Sequence, residues 1–546
     1  MESTPDSLRG RRTSLLRAAL LVAFTAAAVH RISRPGPLYD EVLFVNAALG
    51  DVDGNFVHAR LLGVPVMLMA YVGALKAWLH APVFALFGVS PATLRVPSLL
   101  VVAATILVLS LLAERLFGRP AGLLTTVVLV TDPLFLTTAR VDYGPVVLAG
   151  LLKAGSLSLL LAWLERPSAA RMWGILALLA LGVFDKLNFV WFVLALAGAV
   201  LLVEPRRLRG ALRASGRGAW LPVAAGAGAL VLVVLEVILP LLRGPGPAGD
   251  FPTATLAERA RTMLPLVRAT LDGTAWWGLV FRGAPPSRPE WAALGAVGLA
   301  VAVSCTAASV VHRRPQPEAR RLARLAVFFA VLGALLLAQL VATPHANGPH
   351  HAAMLHPWPA FALIAAGAAL VASVPRALRR CAALAATVLA GAFVAGQVRF
   401  DAAYLAQLGD RGAIQPWAST AIYGLARDLQ RLDPDLVVSA DWGLHNQLFA
   451  LAPPALRPRY RNLYAVLQQS ADADFATGEL AEAVRHRRPV AVVLHPPAET
   501  MMRRARERVL ALAATLPPRW ATSWPVTDAA GRTVYEVVFL APPAPR

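Results

Sequence analysis

The sequence predicts a polytopic α-helical membrane protein of about eleven spans, with interfacial helices in its first outer loop and a small extracytoplasmic α/β domain at its C-terminal end. Three observations predict it: the composition, the spacing of the apolar runs, and the placement of arginine between them. Of 546 residues, 57% are hydrophobic and only 15% charged, with a mean hydropathy of +0.58. Soluble domains carry nearer a quarter charged residues. A net charge of +20 would suit a nucleic-acid partner if it lay on one face. Here the arginines instead fall in short clusters between apolar runs, which argues against nucleic acid. Cys305 lies within one apolar run and Cys381 opens another. That leaves neither a disulfide framework nor a cysteine-based metal site. Only three of the 52 basic residues are lysines, at positions 76, 153 and 186, which makes each worth locating.

A span needs about 20 predominantly apolar residues. Runs of this kind occupy Leu15 to Val29, Leu94 to Leu112, Ala121 to Leu136, Pro145 to Leu164, Met172 to Phe184 and Phe189 to Val203. They continue with Trp220 to Leu241, Trp291 to Val311, Leu325 to Ala342, Trp358 to Val374 and Cys381 to Val398. The first run, preceded by Arg9, Arg11 and Arg12 and ending in Ala26 to Ala28, also has the form of a secretory signal. Ten further spans hold the chain in the membrane either way.

Leu61 to Val89 is apolar enough to count as another span, and counting it would invert every later loop. The excess of Lys and Arg in short cytoplasmic loops decides between the two topologies. With the segment left out, the cytoplasm receives Arg9 to Arg12, Arg206 to Arg217, Arg313 to Arg324 and Arg376 to Arg380. The outer side receives the loops around Arg140 and Lys186, and Thr343 to His356, which holds no Arg or Lys. Leu61 to Val89 is therefore expected on the outer surface as an amphipathic helix pair, with Lys76 and His80 one turn apart.

Past Val398 the composition changes. Helical stretches (Ala418 to Leu432, Met501 to Leu516) alternate with short strand-like runs (Leu436 to Ser439, Val490 to Leu494, Val534 to Leu540). The chain thus divides into a membrane module, 1–398, whose first outer loop spans 30–93, and an extracytoplasmic domain, 399–546. A second outer region, Leu242 to Glu290, contains an amphipathic stretch from Thr255 to Leu271 and the pair Trp276 and Trp277. With Trp78, these tryptophans are expected as interfacial anchors.

Directly after the first span, LYDEVLFVNAALGDVDGN places Asp40 and Glu41 near the outer membrane surface, with Asp51 and Asp53 behind them. Adjacent carboxylates at that depth are a candidate general base and its neighbour, or simply solvated loop acids. The DVDGN run lacks the spacing of an EF-hand and is expected to be a turn.

YDEVLF after a first span, FGVSPATLRVPSLL opening the second, ERLFGRPAGLL between the second and third, and DPLFLTTAR closing the third occur here in order. Over roughly residues 38 to 205, this combination resembles the GT-C superfamily of glycosyltransferases. It is closest to the branch of protein O-mannosyltransferases and aminoarabinose transferases, which use polyprenyl-phosphate sugars. The resemblance implies that the acid of the first outer loop, here Asp40 with Glu41 beside it, deprotonates the acceptor hydroxyl. An ionised Asp is a weak base towards a hydroxyl, so it acts only as that proton becomes acidic during attack at the anomeric carbon. The departing lipid phosphate gains negative charge and needs fixed cations close by.

The resemblance carries that cation role onto Arg140, which closes the third span, and onto Lys186, after the fifth. Lys76 is a weaker match, because Val72, Gly73 and Ala74 stand where the family's Lys-Pro-Pro would fall. Arg95 is a further outer cation. The family also places an acid a few residues after the third-span arginine. Here Asp142 follows Arg140 by two, in position either to orient it or to meet substrate. Lys153, near the middle of the fourth span, costs about 2.5 to 3.5 kcal/mol there and needs a partner, for which Glu236 in the seventh span is a candidate. Four histidines, His345, His350, His351 and His356, share one outer loop. His350 and His351 are candidates for phosphate or substrate contact. Imidazole with Asp40 or Asp142 would also suit zinc or manganese, so a divalent metal is a second use, although no other cofactor is implied.

The function expected is therefore an inverting transferase of the cell inner membrane. It would move a sugar from a polyprenyl-phosphate donor to an extracytoplasmic acceptor, with the lipid bilayer as its surroundings. Two alternatives stand beside it: a transporter or flippase with Lys153 and Glu236 as the coupling pair, and a non-catalytic envelope subunit.

Overall fold

The computed structural model describes residues 5–50, 57–216, 220–233, 235, 255–286, 317–344, 346, 348–410, 415–469 and 478–542. Among the described residues, six helices are long and apolar enough to cross a membrane: Arg11–Val29, Pro91–Phe117, Val146–Glu165, Pro317–Ala342, Pro349–Ser373 and Arg379–Gly409. Two bent helix pairs raise that number to eight. The expected fifth span is helical over Ala169–Asp185, and the described part of the seventh over Trp220–Val233. The eighth, Trp291 to Val311, lies outside the described residues, as do Asp51, Asp53, Glu236 and His345.

The third expected span is broken. Its two halves, α5 (Arg119–Val130) and α6 (Pro133–Arg140), meet at 52°. Pro133 supplies no N–H to continue the first half, and the residue before a proline avoids the helical region. Asp132 instead caps the second half, its side chain accepting from Leu134 N at 2.8 Å. A sharper bend of 101° follows Val203. There Pro205–Ala214, carrying Arg206, Arg207, Arg209 and Arg213, turns across the end of the bundle.

The bundle core is apolar and aromatic. Trp163 and Trp358 are fully buried, and Trp358 stacks on Phe192 and Phe329 with ring centroids 5.7 and 6.2 Å apart. The end opposite the Arg206–Arg213 helix carries the elements of the site. First comes α2 (Tyr39–Asn46). A three-stranded antiparallel sheet follows, β1 (Ala59–Leu61), β2 (Val64–Met69) and β3 (Val72–Gly73), and then α3 (Leu75–Phe87). The helix pair expected over Leu61 to Val89 is thus one helix preceded by a sheet. Leu62 and Gly63 both take positive φ, 50° and 81°, which closes a hairpin, and the β-branched stretch after it pairs as a strand. On α3 the buried face carries Lys76, Ala77, His80 and Phe84, whereas Leu86 and Phe87 are over 70% exposed. This arrangement inverts that of a water-facing helix.

The last long helix runs on to Asp410, past the change in composition at Val398. Beyond it stands a five-stranded sheet in the order β5-β4-β6-β8-β7, from Tyr460–Asn462, Leu436–Ser439, Val490–Leu494, Thr533–Leu540 and Ala521–Thr527. β4 is parallel to β5 and β6, and β8 is antiparallel to its neighbours. β4 and β6 are buried along their whole length, so their sequences read as unbroken apolar runs with a cluster on each face. This domain docks on the first outer loop. Gly36 N donates to Ala418 O at 2.8 Å, Asn46 Nδ2 donates to Asn446 Oδ1 at 3.2 Å, and Tyr39 packs on Trp442 at 4.8 Å.

Trp276 and Trp277 are not surface anchors; both are buried, on the helix Thr274–Val280. Gly273 sits against Pro133 and Phe400, which lets that helix close on α6 and the last long helix. Trp277 then meets Phe281, Phe400 and Tyr404, and Trp276 Nε1 donates to Thr270 O at 3.2 Å. Trp78 is 40% exposed, as an interfacial side chain would be.

Candidate active site

Seven of the eight residues of α2 are fully buried, and the exception is Asp40. The helix starts on the segment leaving the first span, and two arginines hold that segment. Arg95 donates to Glu41 through Nε at 2.8 Å and Nη2 at 2.9 Å, and to the carbonyls of Ile32, Pro35 and Gly36. Arg140 gives its terminal nitrogens to the carbonyls of Ala27, Ala28, His30, Arg31 and Arg34 at 2.7–3.3 Å. The first span ends at Val29 and leaves unpaired carbonyls there, which the Arg140 guanidinium satisfies. The arginine that closes α6 is thereby tied to the backbone at the end of the first span. Glu41 is similarly engaged: besides Arg95, its Oε2 accepts from Leu38 N at 3.1 Å, completing the cap of α2.

The remaining charges gather around Asp40. Tyr143 donates a hydrogen bond to its carboxylate, and Lys186 and Lys76 act on it electrostatically. Burial pushes the Asp40 carboxyl above the usual aspartate range, against the pull of Lys186, Tyr143 and Lys76. Burial and Asp40 together push the Tyr143 phenol up, so it stays protonated and able to donate. Lys186 is pulled down to about 8 by burial, opposed by Asp40, Asp185 and Asp142.

Lys76 is already paired. Its Nζ lies 3.1 Å from Asp142 Oδ2 and donates to the carbonyl of Glu41 at 3.3 Å, and both side chains of the pair are 2% exposed. Asp142 thus serves Lys76, not Arg140. Its other oxygen accepts from Val146 N and Val147 N at 3.2 and 3.3 Å, capping the next span. His80 fastens α3 below this pair, with Nδ1 2.9 Å from Lys76 O and Nε2 3.0 Å from Leu94 O.

Lys186 sits on an extended stretch after Ala169–Asp185. An isolated bridge to Val72 and a 3.0 Å bond from Leu187 N to Tyr71 O tie that stretch to the small sheet. It lines a small cleft with Lys153, Asn188, His350 and the start of the fourth span. His350 lies between Tyr143 and His351, its ring centre 5.6 and 4.1 Å from theirs, with Nδ1 buried and lacking a hydrogen-bond partner. His351 packs on Trp191 at 5.9 Å.

Lys153 ends the short helical turn at 349–355, donating to the carbonyls of Ala353, Met354 and His356 at 3.2, 3.1 and 2.8 Å. Three carbonyls thus use its three protons, while its candidate partner Glu236 lies outside the described residues. His356 does not join the other histidines. Its Nε2 is 3.0 Å from Asp132 Oδ2, inside the bundle. Among the described residues, no group of three His, Cys, Asp or Glu side chains is gathered as a metal would require.

Two participants escaped the sequence reading. Tyr143 follows a residue that drew attention for its charge, and nothing in its neighbours marks it. Asp185 did leave a signal: it is an acid at the very end of an apolar run, beside one of only three lysines.

Residues 73–237 match the family described as dolichyl-phosphate-mannose-protein mannosyltransferase. No curated protein matches the chain in sequence. Among solved structures, the chain is similar to ArnT from Cupriavidus metallidurans in the apo state. The identity is 17%, 98% of this chain and 100% of that one are covered, and the TM-score is 0.55. The same protein bound to undecaprenyl phosphate gives 16%, 98%, 99% and 0.55. The chain thus shares the overall fold of these structures, and its residues 73–237 match that mannosyltransferase family.

Proposed function

We propose that the chain is an inverting membrane glycosyltransferase of the cell inner membrane, moving a sugar from a polyprenyl-phosphate donor to an acceptor hydroxyl on the extracytoplasmic side. The observation that carries this reading is the half-buried Asp40, hydrogen-bonded by Tyr143 and set within the field of Lys186, the same lysine that lines the small cleft. The undecaprenyl phosphate bound in the ArnT structure supports a lipid-phosphate donor.

In this reading the acceptor oxygen attacks the anomeric carbon from the face opposite the phosphate. The new C–O bond forms as the bond to phosphate oxygen breaks, its electron pair stays on the phosphate, and the acceptor proton passes to Asp40. One displacement inverts the anomeric centre. The Lys186 ammonium meets the charge growing on the leaving phosphate, with His350 and Lys153 lining the same cleft. Lys76 and Asp142 fix the floor of the site as a pair, and Glu41 and Arg95 hold the helix that presents Asp40. Arg140 acts through the backbone it organises.

Binding of undecaprenyl phosphate to the purified protein tests the donor side. One charge-assisted hydrogen bond contributes about 1.5–3 kcal/mol, so Lys186→Met should weaken binding roughly ten- to hundredfold, with partial recovery in Lys186→Arg. Wild-type affinity in Lys186→Met would remove Lys186 from the donor site.

A further inference from the structure

Three carboxylates and two ammonium groups meet behind the cleft, and the odd acid is Asp185. Asp142 is matched with Lys76 at 3.1 Å, and Asp40 accepts from Tyr143. Asp185 is 1% exposed, and neither of its carboxylate oxygens has a hydrogen-bond partner. Its position makes an anion harder still to hold. It is the last residue of Ala169–Asp185, where the helix dipole presents its negative end. The Asp142 carboxylate lies near enough to repel it. An unpaired buried carboxylate is strongly disfavoured relative to its neutral form unless a cation compensates it. The neighbouring cations are Lys186, the next residue in the chain, and Lys76 on α3. With Lys76 committed to Asp142, Asp185 depends on Lys186.

Lys186 is the group the proposed donor phosphate would engage. Adding a phosphate anion to a site that already holds Asp40 and Asp185 opposite one available ammonium leaves an excess of negative charge. Neutralising Asp185 relieves it, whereas Asp40 must remain ionised to act as base. We propose that Asp185 is a positioning residue for Lys186, balancing its ammonium in the empty site and taking up a proton from solvent when the phosphate of the donor arrives. No bond in the substrate changes in this step. The inference rests on the donor reading above and adds to it that binding of the lipid phosphate is linked to uptake of a proton.

The groups facing Asp185 and Lys186 define the controls. They are Asp142 from the loop before the fourth span, Lys76 from α3, Asp40 from α2, and His350 and Lys153 across the cleft, with His351 behind His350. The probe is dioctyl phosphate in detergent, a diester whose single charge does not change between pH 5.5 and 7.5. Over that interval Lys186, at about 8, stays largely protonated. Wild-type affinity should fall as pH rises, by up to about tenfold per unit. Asp185→Asn should bind the probe at least as tightly as wild type at pH 7.5 and lose that slope. Any slope left in the variant reports the histidines.

A wild-type affinity independent of pH, or an Asp185→Asn protein with the wild-type slope, overturns the inference and leaves the donor reading intact. Failure of wild type to bind either dioctyl or undecaprenyl phosphate overturns both. If Asp185→Asn does not fold, titration calorimetry of wild type in two buffers of different ionisation enthalpy decides. Uptake of a sizeable fraction of a proton per probe bound supports the assignment, and no uptake refutes it.

Discussion

Most of the charged side chains that look available in the sequence are already committed. Glu41 with Arg95 is a buried pair, and breaking such a pair by removing one partner costs about 3–5 kcal/mol. Arg95→Met should therefore lower the melting temperature sharply in detergent, and an unchanged melting point would mean that the pair is not what holds α2. Arg140→Gln strands buried carbonyls at the end of the first span, at a cost of about 1–3 kcal/mol. It should reduce thermal stability while leaving the affinity for undecaprenyl phosphate in the surviving folded fraction near wild type. A hundredfold loss of affinity at full stability would restore Arg140 to the donor site. The pH profile of kcat/KM separates the two groups that remain. Transfer requires Asp40 ionised, and its carboxyl is raised, so the acid limb should lie above the usual aspartate range. It also requires Lys186 charged, so activity should fall as pH rises through about 8, and that alkaline limb should move well upward in Lys186→Arg. A limb at the same pH in the arginine variant would assign it elsewhere. The sequence points to Asp40 and Lys186 because acid and lysine stand at the ends of apolar runs. It could not tell which cations were already taken, because Arg140 is committed to carbonyls 106 to 113 residues away.

The site depends on where a few short elements meet, and the tightest contact is between β3 and the end of Ala169–Asp185. A Cβ on Gly73 would lie 2.3 Å from the carbonyl oxygen of Phe184, a backbone atom that no rotamer change can move. Gly73→Ala should push β3 from the helix end that carries Asp185 and Lys186, costing about 1–3 kcal/mol and most of the transfer activity. Wild-type turnover would show that the Val72 to Lys186 bridge is dispensable. At this scale legibility followed periodicity. β4 and β6 begin and end at the residues their apolar runs predict, since a strand buried on both faces leaves no ambiguity. The stretch from Ala59 to Gly73 misled because apolar residues between a lipid surface and a protein surface are uniform in either conformation, and the turn at Leu62 and Gly63 decides. The break at Pro133 was written in the sequence as Asp-Pro, and the apolar run on both sides concealed it.

For the whole molecule, the arginine distribution predicts an orientation, and the fold separates the two ends that it distinguishes. The Arg206–Arg213 helix closes one end of the bundle, and α2, α3 and the C-terminal domain close the other. In a background free of Cys305 and Cys381, a membrane-impermeant thiol reagent applied from outside should label Leu62→Cys and spare Arg207→Cys. Both positions are exposed, so the reverse pattern would invert the topology. The apolar runs disclosed the membrane module and the strands disclosed the second domain, yet the joint between them was not legible. It rests on single contacts such as Gly36 N to Ala418 O, nearly four hundred residues apart in sequence. Separation along the chain also hid the convergence of Asp40, Tyr143 and Lys186, which only the packed bundle creates. The most direct test of that convergence is transfer from a labelled undecaprenyl-phosphate sugar by Asp40→Asn, a change that keeps shape and removes charge. Loss of transfer by at least about a hundredfold, with donor affinity and melting temperature near wild type, is the result expected of a base. Turnover at the wild-type rate would contradict the account.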